Sequence, residues 1–417
     1  MDPEYESFGS ARGAGMIDII MRRIFYKKEF QRSREFMKSM TRRRIVLKIG
    51  TSTVTGGTKE INRPNLVDLV RQLSTLRKRG FEVILVSSGA VAAGREALQG
   101  SVFPKHVPAK QMLSAIGQPR LMAIYHELFS IYGELTAQVL LTRSDLIHRT
   151  GYLNARGTMG LLLENGVIPI VNENDAIATD EIRLGDNDTL SAHIAGLVGA
   201  EILVLMTDQD GLFDDDPGKN PAASLVRRVV EAEIPDRIWA AAGGSRSGLG
   251  TGGMLTKVRA ADIARRMGTM VRIVNGAVPD CLLKVADGED FGTTFIPTRS
   301  VRESRKRYLL SGYRADGAAV IVDRGAAEAL AKGKSLLPAG VRAVVGEFDR
   351  GDTIRILDDA GTELAVGTTN YGAQDVARLV GRHADEIEEI LGYSFADEMI
   401  HRDFMIDSRS RECENGN

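Results

Sequence analysis

Lys48 lies in the apolar run "RIVLKIG", and Lys257 ends the glycine-rich run "GLGTGGMLTK" from Gly248. Glycines let backbone N–H groups approach an anion closely, and a lysine neutralises its charge. The second run has the make-up of a phosphate cradle, although its spacing differs from the common loop in which Gly-Lys-Ser/Thr closes the turn. Other apolar runs end in short polar residues. "LKIGTST" gives Gly50, Thr51 and Ser52; "LVSSGAVAAG" gives Ser87, Ser88 and Gly89. "VNENDAIATDEIRLGDND" gives Asn172, Asn174, Asp175, Asp186, Asn187 and Asp188, and "LMTDQDG" gives Thr207, Asp208 and Asp210. Two lysines, glycine-rich turns and a set of amides and carboxylates are the equipment of phosphoryl transfer, which asks for positioning and for positive charge on the transferring group. Each piece alone has a duller reading. A strand lysine can snorkel from a sheet edge, and "NEND" can be an Asx-rich turn. "DDDP" at Asp214–Pro217 is read as a solvated turn. The chemistry rests on all the pieces standing in order at strand ends.

The elements that would hold them follow from hydrophobic patterning. "RIVLKIG", "FEVILVSSGA", "QVLLT", "VIPIVNE", "EILVLMTD" and "MVRIVNG" are short continuous apolar runs, separated by segments such as "NRPNLVDLVRQLSTLRKRG" with apolar residues at helical spacing. That alternation predicts an α/β fold: a mostly parallel sheet covered by helices on both faces, with ligands bound beyond the carboxyl ends of the strands. Near residue 300 the pattern changes. "TRSVRESRKRYLLSG" is polar and basic, a boundary helix. After it "GAAVIVD", "VRAVVGEF", "DTIRILDD" and "ELAVGTTNY" are short strand-like pieces split by glycines and aspartates, which predicts a small β-rich barrel domain. The expected organisation is an N-terminal extension over 1–40, disordered or partly helical, a first domain over 41–300, the β-rich domain over 302–394 and a C-terminal tail over 395–417.

Bulk composition excludes several classes. The chain has 417 residues, 43% hydrophobic and 26% charged, with a net charge of −1, so nothing draws it as a whole to nucleic acid or anionic membrane. The two cysteines, Cys281 and Cys413, stand far apart and in no metal-ligand spacing; a disulfide scaffold and a protein-held metal are not expected, and a reducing cytoplasm is. No apolar run is long enough to span a bilayer. "MIDIIMRRIFYKKEF" mixes isoleucines with basic residues and could be read as a membrane-surface helix, but a frayed extension or an over-early start is preferred.

The strings "KIGTS", "SSGAVAAGRE", "KQMLSAIGQPRLM", "LNARGT", "PIVNENDAIAT", "LGDNDTLSA", "LMTDQDGL" and "SGLGTGGMLTK", in this order, closely resemble the glutamate 5-kinase family of the amino-acid kinase superfamily. The resemblance covers about residues 42–406 and includes a C-terminal part similar to PUA domains. It implies transfer of a phosphoryl group from ATP, with Mg2+, to the side-chain carboxylate of L-glutamate, the first step of proline biosynthesis. By position, it implies Lys48 and Lys257 as the catalytic phosphate-binding lysines, with Asp188 orienting both. Ser88, Asp175 and Asn187 match glutamate-binding positions. Lys48, Thr207, Asp208 and the loop Thr251, Gly252, Gly253, Met254, Leu255, Thr256 and Lys257 match ATP-binding positions. It further implies a homo-oligomer, with proline as a feedback inhibitor whose loop would lie near "LLTRSDLIHRTGYLNARG". The alternative of another class is an RNA-binding PUA protein with a degenerate kinase fold. Its one supporting feature is the basic run "RESRKRYLL", and the acidic residues of the β-rich segment argue against it.

Overall fold

The computed structural model describes residues 43–99, 104, 106–177, 187–243, 253–298 and 317–408. The expectations for residues 1–40, for the basic run at 302–310 and for Asp186, Thr251 and Gly252 lie outside the described residues.

The first unit runs β1 (Arg43–Ile49), α1 (Thr51–Thr55), α2 (Arg63–Lys78), β2 (Phe81–Ser87), α3 (Ala90–Ala97), α4 (Val107–Ser130), β3 (Thr136–Leu141), α5 (Arg143–Ile147), α6 (Arg149–Glu164) and β4 (Ile168–Glu173). It continues with α7 (Asn187–Val198), β5 (Ile202–Thr207), β6 (Arg228–Val229), α8 (Asp236–Ala241), α9 (Met254–Arg266), β7 (Met270–Asn275), α10 (Cys281–Ala286) and β8 (Thr293–Phe295). These strands form one sheet in the order β3-β4-β2-β1-β5-β7-β8-β6, parallel throughout except between β7 and β8. The continuous apolar runs are explained by burial on both faces. Ile45, Leu47 and Ile49 join a core built with α2, α4 and α10. Val46, on the opposite parity, joins a core built with α6, α7, α8 and α9. Strand parity therefore turns Lys48 toward the face of α7 and α9.

The second unit runs β9 (Ala319–Val322), α11 (Arg324–Ala331), β10 (Val341–Val345), β11 (Thr353–Leu357), β12 (Glu363–Thr368), α12 (Ala373–Leu379), α13 (Ile387–Leu391) and β13 (Met405–Asp407). Its sheet has the order β10-β9-β11-β12-β13 around a core that includes Val320, Ile356, Tyr371, Val376 and Ile400. Residues from 395 onward were expected as a tail, yet β13 pairs antiparallel with β12, and Met399, Ile400, Phe404 and Ile406 are all buried. The polar terminal residues masked a short apolar segment that completes the sheet.

The two units meet at the start of α6. Leu153 packs with Val366, Phe404 and Ile406. Arg156 lies over the Phe404 ring, 3.6 Å from its centroid, and pairs with Asp403 at 3.4 Å. Arg350 donates to Asn154 Oδ1 at 2.6 Å.

Candidate active site

The carboxyl ends of β1, β2, β4 and β5 bring most of the sequence-picked residues to one edge of the first sheet. Asp188 stands in the first turn of α7 and is 1% exposed. Its Oδ1 lies 2.5 Å from Lys48 Nζ, and its Oδ2 lies 3.3 Å from Lys257 Nζ. Thr256 adds a hydroxyl donor to the same Oδ2 at 2.8 Å. One buried carboxylate thus holds two ammonium groups from β1 and α9, elements far apart in the chain. Burial by itself disfavours the charged form of Asp188. Lys48 and Lys257 outweigh it and hold the carboxyl below the usual carboxylate range.

Lys257 reaches this position because α9 begins at Met254, one residue after Gly253. Gly253 has a φ of 76°, the left-handed region open to glycine, and turns the chain into the helix. The N-terminal N–H groups of such a helix lack intrahelical partners and face an anion favourably. Met254 and Thr256 lie on this first turn, whereas the Leu255 side chain is 1% exposed and belongs to the core. Leu255 can offer only backbone to a ligand. Thr207 ends β5 and contacts the next residue, its Oγ1 donating to Asp208 Oδ1 at 3.2 Å. A cleft of about 670 Å3 opens beside them, bordered by Ser52, Thr53 and Asn275. A cleft of about 720 Å3 lies on the second unit, bordered by His401 and Arg402, and includes none of the residues singled out for chemistry.

The second group gathers around Asn187, the residue next to Asp188. Asn187 Nδ2 donates to Ser88 Oγ at 2.9 Å, to Asn172 Oδ1 at 3.0 Å and to the Ser87 carbonyl at 3.4 Å. Its Oδ1 is buried and has no hydrogen-bond partner among the described residues. Asp175, just past β4, accepts from Ser114 Oγ at 3.2 Å. Burial pushes the Asp175 carboxyl upward, and the Ser114 bond offsets part of that.

Three supporting residues escaped the sequence reading. Ser114, Gln118 and Tyr125 all come from α4 and are buried. Gln118 Oε1 accepts from Asn172 Nδ2 at 2.8 Å, and the Tyr125 and Ser87 hydroxyls lie 2.7 Å apart. A signal was present: these residues stand at i, i+4 and i+11 of one helix, within and just beyond "KQMLSAIGQPRLM".

Residues 43–275 match the model of the amino acid kinase family, and residues 318–391 match that of the PUA domain. The glutamate 5-kinase of Shewanella woodyi is 50% identical over 365 residues, which is 87% of this chain and 97% of that protein. Those of Photobacterium profundum and Deinococcus radiodurans are 50% and 49% identical, again over 87% of this chain, and over 95% and 99% of their own lengths.

Proposed function

The chain belongs to the amino acid kinase family, within its glutamate 5-kinases, and on that premise we propose that Lys48, Asp188 and Lys257 carry the phosphoryl transfer while Ser88, Asp175 and Asn187 hold the acceptor. The reaction is the phosphorylation of L-glutamate by ATP, which gives ADP and L-glutamyl 5-phosphate, the first step of proline biosynthesis. Relatives at this identity over nearly their whole length leave the RNA-binding alternative without support.

One observation carries the assignment of roles. Asn187 and Asp188 are consecutive residues at the start of α7, and they face different partners: Asp188 binds the two lysines, and Asn187 binds Ser88 and Asn172. Neighbouring positions on a helix point about 100° apart, so the first turn of α7 parts a cationic site from an amide site and fixes their spacing. The glutamate side-chain carboxylate is already ionised at neutral pH, with an ordinary pKa of about 4.3, so the acceptor needs no strong base. One of its oxygens attacks the γ-phosphorus. The bond to the β–γ bridging oxygen breaks, and its electron pair leaves with ADP. The obstacle is repulsion between two anions, which Lys48 and Lys257 relieve on the phosphate side. Asp175 pairs with the substrate ammonium group, and the unpartnered Asn187 Oδ1 offers it a second acceptor. The far carboxylate is then left to face ATP.

Thr207, Asp208 and the loop from Thr251 to Lys257 are assigned to the nucleotide. Mg2+ would arrive on the ATP phosphates and offset their charge. A hard cation suits oxygen ligands, and Asp208, exposed at the end of β5, is the carboxylate that could reach it. The homo-oligomer, inhibition by proline and a cytoplasmic location are proposed from the resemblance. No helix among the described residues is long and apolar enough to cross a membrane.

The test is ADP release from purified protein with ATP and Mg2+, with and without L-glutamate, with aspartate and N-acetylglutamate as controls. Hydroxylamine traps the acyl phosphate as a hydroxamate. Glutamate-dependent ADP with matching hydroxamate is expected. Asp175→Asn should raise the glutamate KM by roughly 10- to 100-fold, the worth of one charge-assisted hydrogen bond, and leave the ATP KM unchanged. A rise of both constants together would remove Asp175 from the acceptor site.

A further inference from the structure

Helix α4 carries a buried polar stripe with no role in the chemistry described so far. Ser114, Gln118, Leu121 and Tyr125 lie on one face at i, i+4, i+7 and i+11, and each is nine-tenths or more buried. The three polar members touch three different segments of the acceptor site: Asp175 after β4, Asn172 within β4 and Ser87 at the end of β2. Buried polar groups are costly unless paired. A stripe whose partners among the described residues all belong to the acceptor site is more than core filling.

We propose that Gln118 is a positioning residue for the acceptor site: it fixes the amide of Asn172, which fixes that of Asn187, so that Asn187 presents its oxygen rather than its NH2 to the substrate and selects an acceptor with an ammonium group. This rests on the reading of the site given above.

The amide logic is directional. An Asn or Gln side chain has one accepting end and one donating end. Gln118 Oε1 takes the Asn172 Nδ2 donor at 2.8 Å. Asn172 Oδ1 is then free to accept from the Glu173 backbone N–H at 2.9 Å and from Asn187 Nδ2 at 3.0 Å. With its donor end committed to Asn172, Ser88 and the Ser87 carbonyl, Asn187 leaves Oδ1 as a buried acceptor with no partner among the described residues. An ammonium group satisfies that oxygen. A substrate without one leaves it orphaned, and discrimination by an unpaired buried group is strong. Gln118 acts through its bond to Asn172. Its influence is on which end of Asn187 faces the substrate.

The experiment compares L-glutamate with glutarate, which has both carboxylates and no amino group, in wild type, Gln118→Met and Gln118→Glu. Methionine keeps the size and loses the acceptor; glutamate keeps both the size and an acceptor oxygen. The glutamate/glutarate ratio of kcat/KM is expected to fall roughly tenfold or more in Gln118→Met, with the ATP KM unchanged, and to return toward wild type in Gln118→Glu. An unchanged ratio in a folded Gln118→Met protein that still phosphorylates glutamate overturns the proposal. So does a loss shared equally by ATP and glutamate constants. If Gln118→Met does not fold, Gln118→Glu decides alone: retained selectivity supports the relay, and lost selectivity with the acceptor still present rejects it. Failure of the wild type to use glutamate at all would instead reject the acceptor assignment itself.

Discussion

At the scale of single residues, the site turns on one charge. Asp188 is buried between Lys48 and Lys257, and the three groups leave one positive charge in excess. A carboxyl held below its usual range contributes stability above the ordinary carboxylate pKa and loses that contribution only as pH falls through its own lower value. Near neutrality Asp188 is therefore a fixed counter-ion and not a proton carrier. Asp175 has the opposite sign: burial raises its carboxyl, so its ionisation costs folding stability as pH rises and is favoured when an ammonium group arrives. Replacing Asp188 by Asn removes the shared anion and leaves two largely buried cations facing each other. The expected cost is about 3–5 kcal/mol of stability and a fall in kcat of about 10²–10³. ATP phosphates can stand in for the lost carboxylate in binding, so ATP should raise the melting temperature of Asp188→Asn more than that of wild type. Equal thermal shifts would mean that Asp188 does not balance the lysines.

At the scale of elements, legibility in the sequence followed how local each signal was. The strands were readable because continuous apolar runs such as "EILVLM" need burial on both faces, and the polar residues at their ends marked the ligand edge. Lys48 could be singled out, because a lysine within an otherwise apolar strand calls for a reason. The support behind the site was not readable in the same way. Gln118 and Asn172 are 54 positions apart, and nothing in either neighbourhood names the other. Helix α4 also hides a device that places its stripe. A Cβ at Gly117 would overlap the Ala90 carbonyl oxygen, and one at Gly94 would overlap the Leu113 carbonyl oxygen. The two glycines let α3 and α4 pack backbone to backbone. Gly117→Ala must push α4 away from α3, and with it Ser114, Gln118 and Tyr125. The expected effect is a loss of about 1–3 kcal/mol in urea unfolding, as for overpacking elsewhere, with a higher glutamate KM. Wild-type stability and kinetics would show that the close approach is not needed.

At the scale of the whole molecule, the second unit is tied to the first by the same segment that the sequence presented as a tail. Phe404 and Ile406 pack on Leu153 of α6, and Arg156 of α6 is held by Asp403 and the Phe404 ring. Helix α6 in turn shares a core with β4, through Met159, Leu163 and Val171, and β4 carries Asn172. A continuous packed path thus runs from β13 to the proposed acceptor site. Two truncations separate a tail from a structural segment. Ending the chain after Ser408 leaves β13 and its pairing with β12 in place, so the second sheet should keep its stability. Ending it after Glu398 exposes partners of Met399, Ile400, Phe404 and Ile406, each worth about 1.5–3 kcal/mol when buried, against a typical total stability of about 5–15 kcal/mol. The second sheet should then fail to fold, with rapid proteolysis after residue 317 and loss of hydrogen-exchange protection along α6. If the shorter chain melts and resists protease like the full chain, the β12–β13 pairing contributes nothing and the acceptor site draws no support from the second unit.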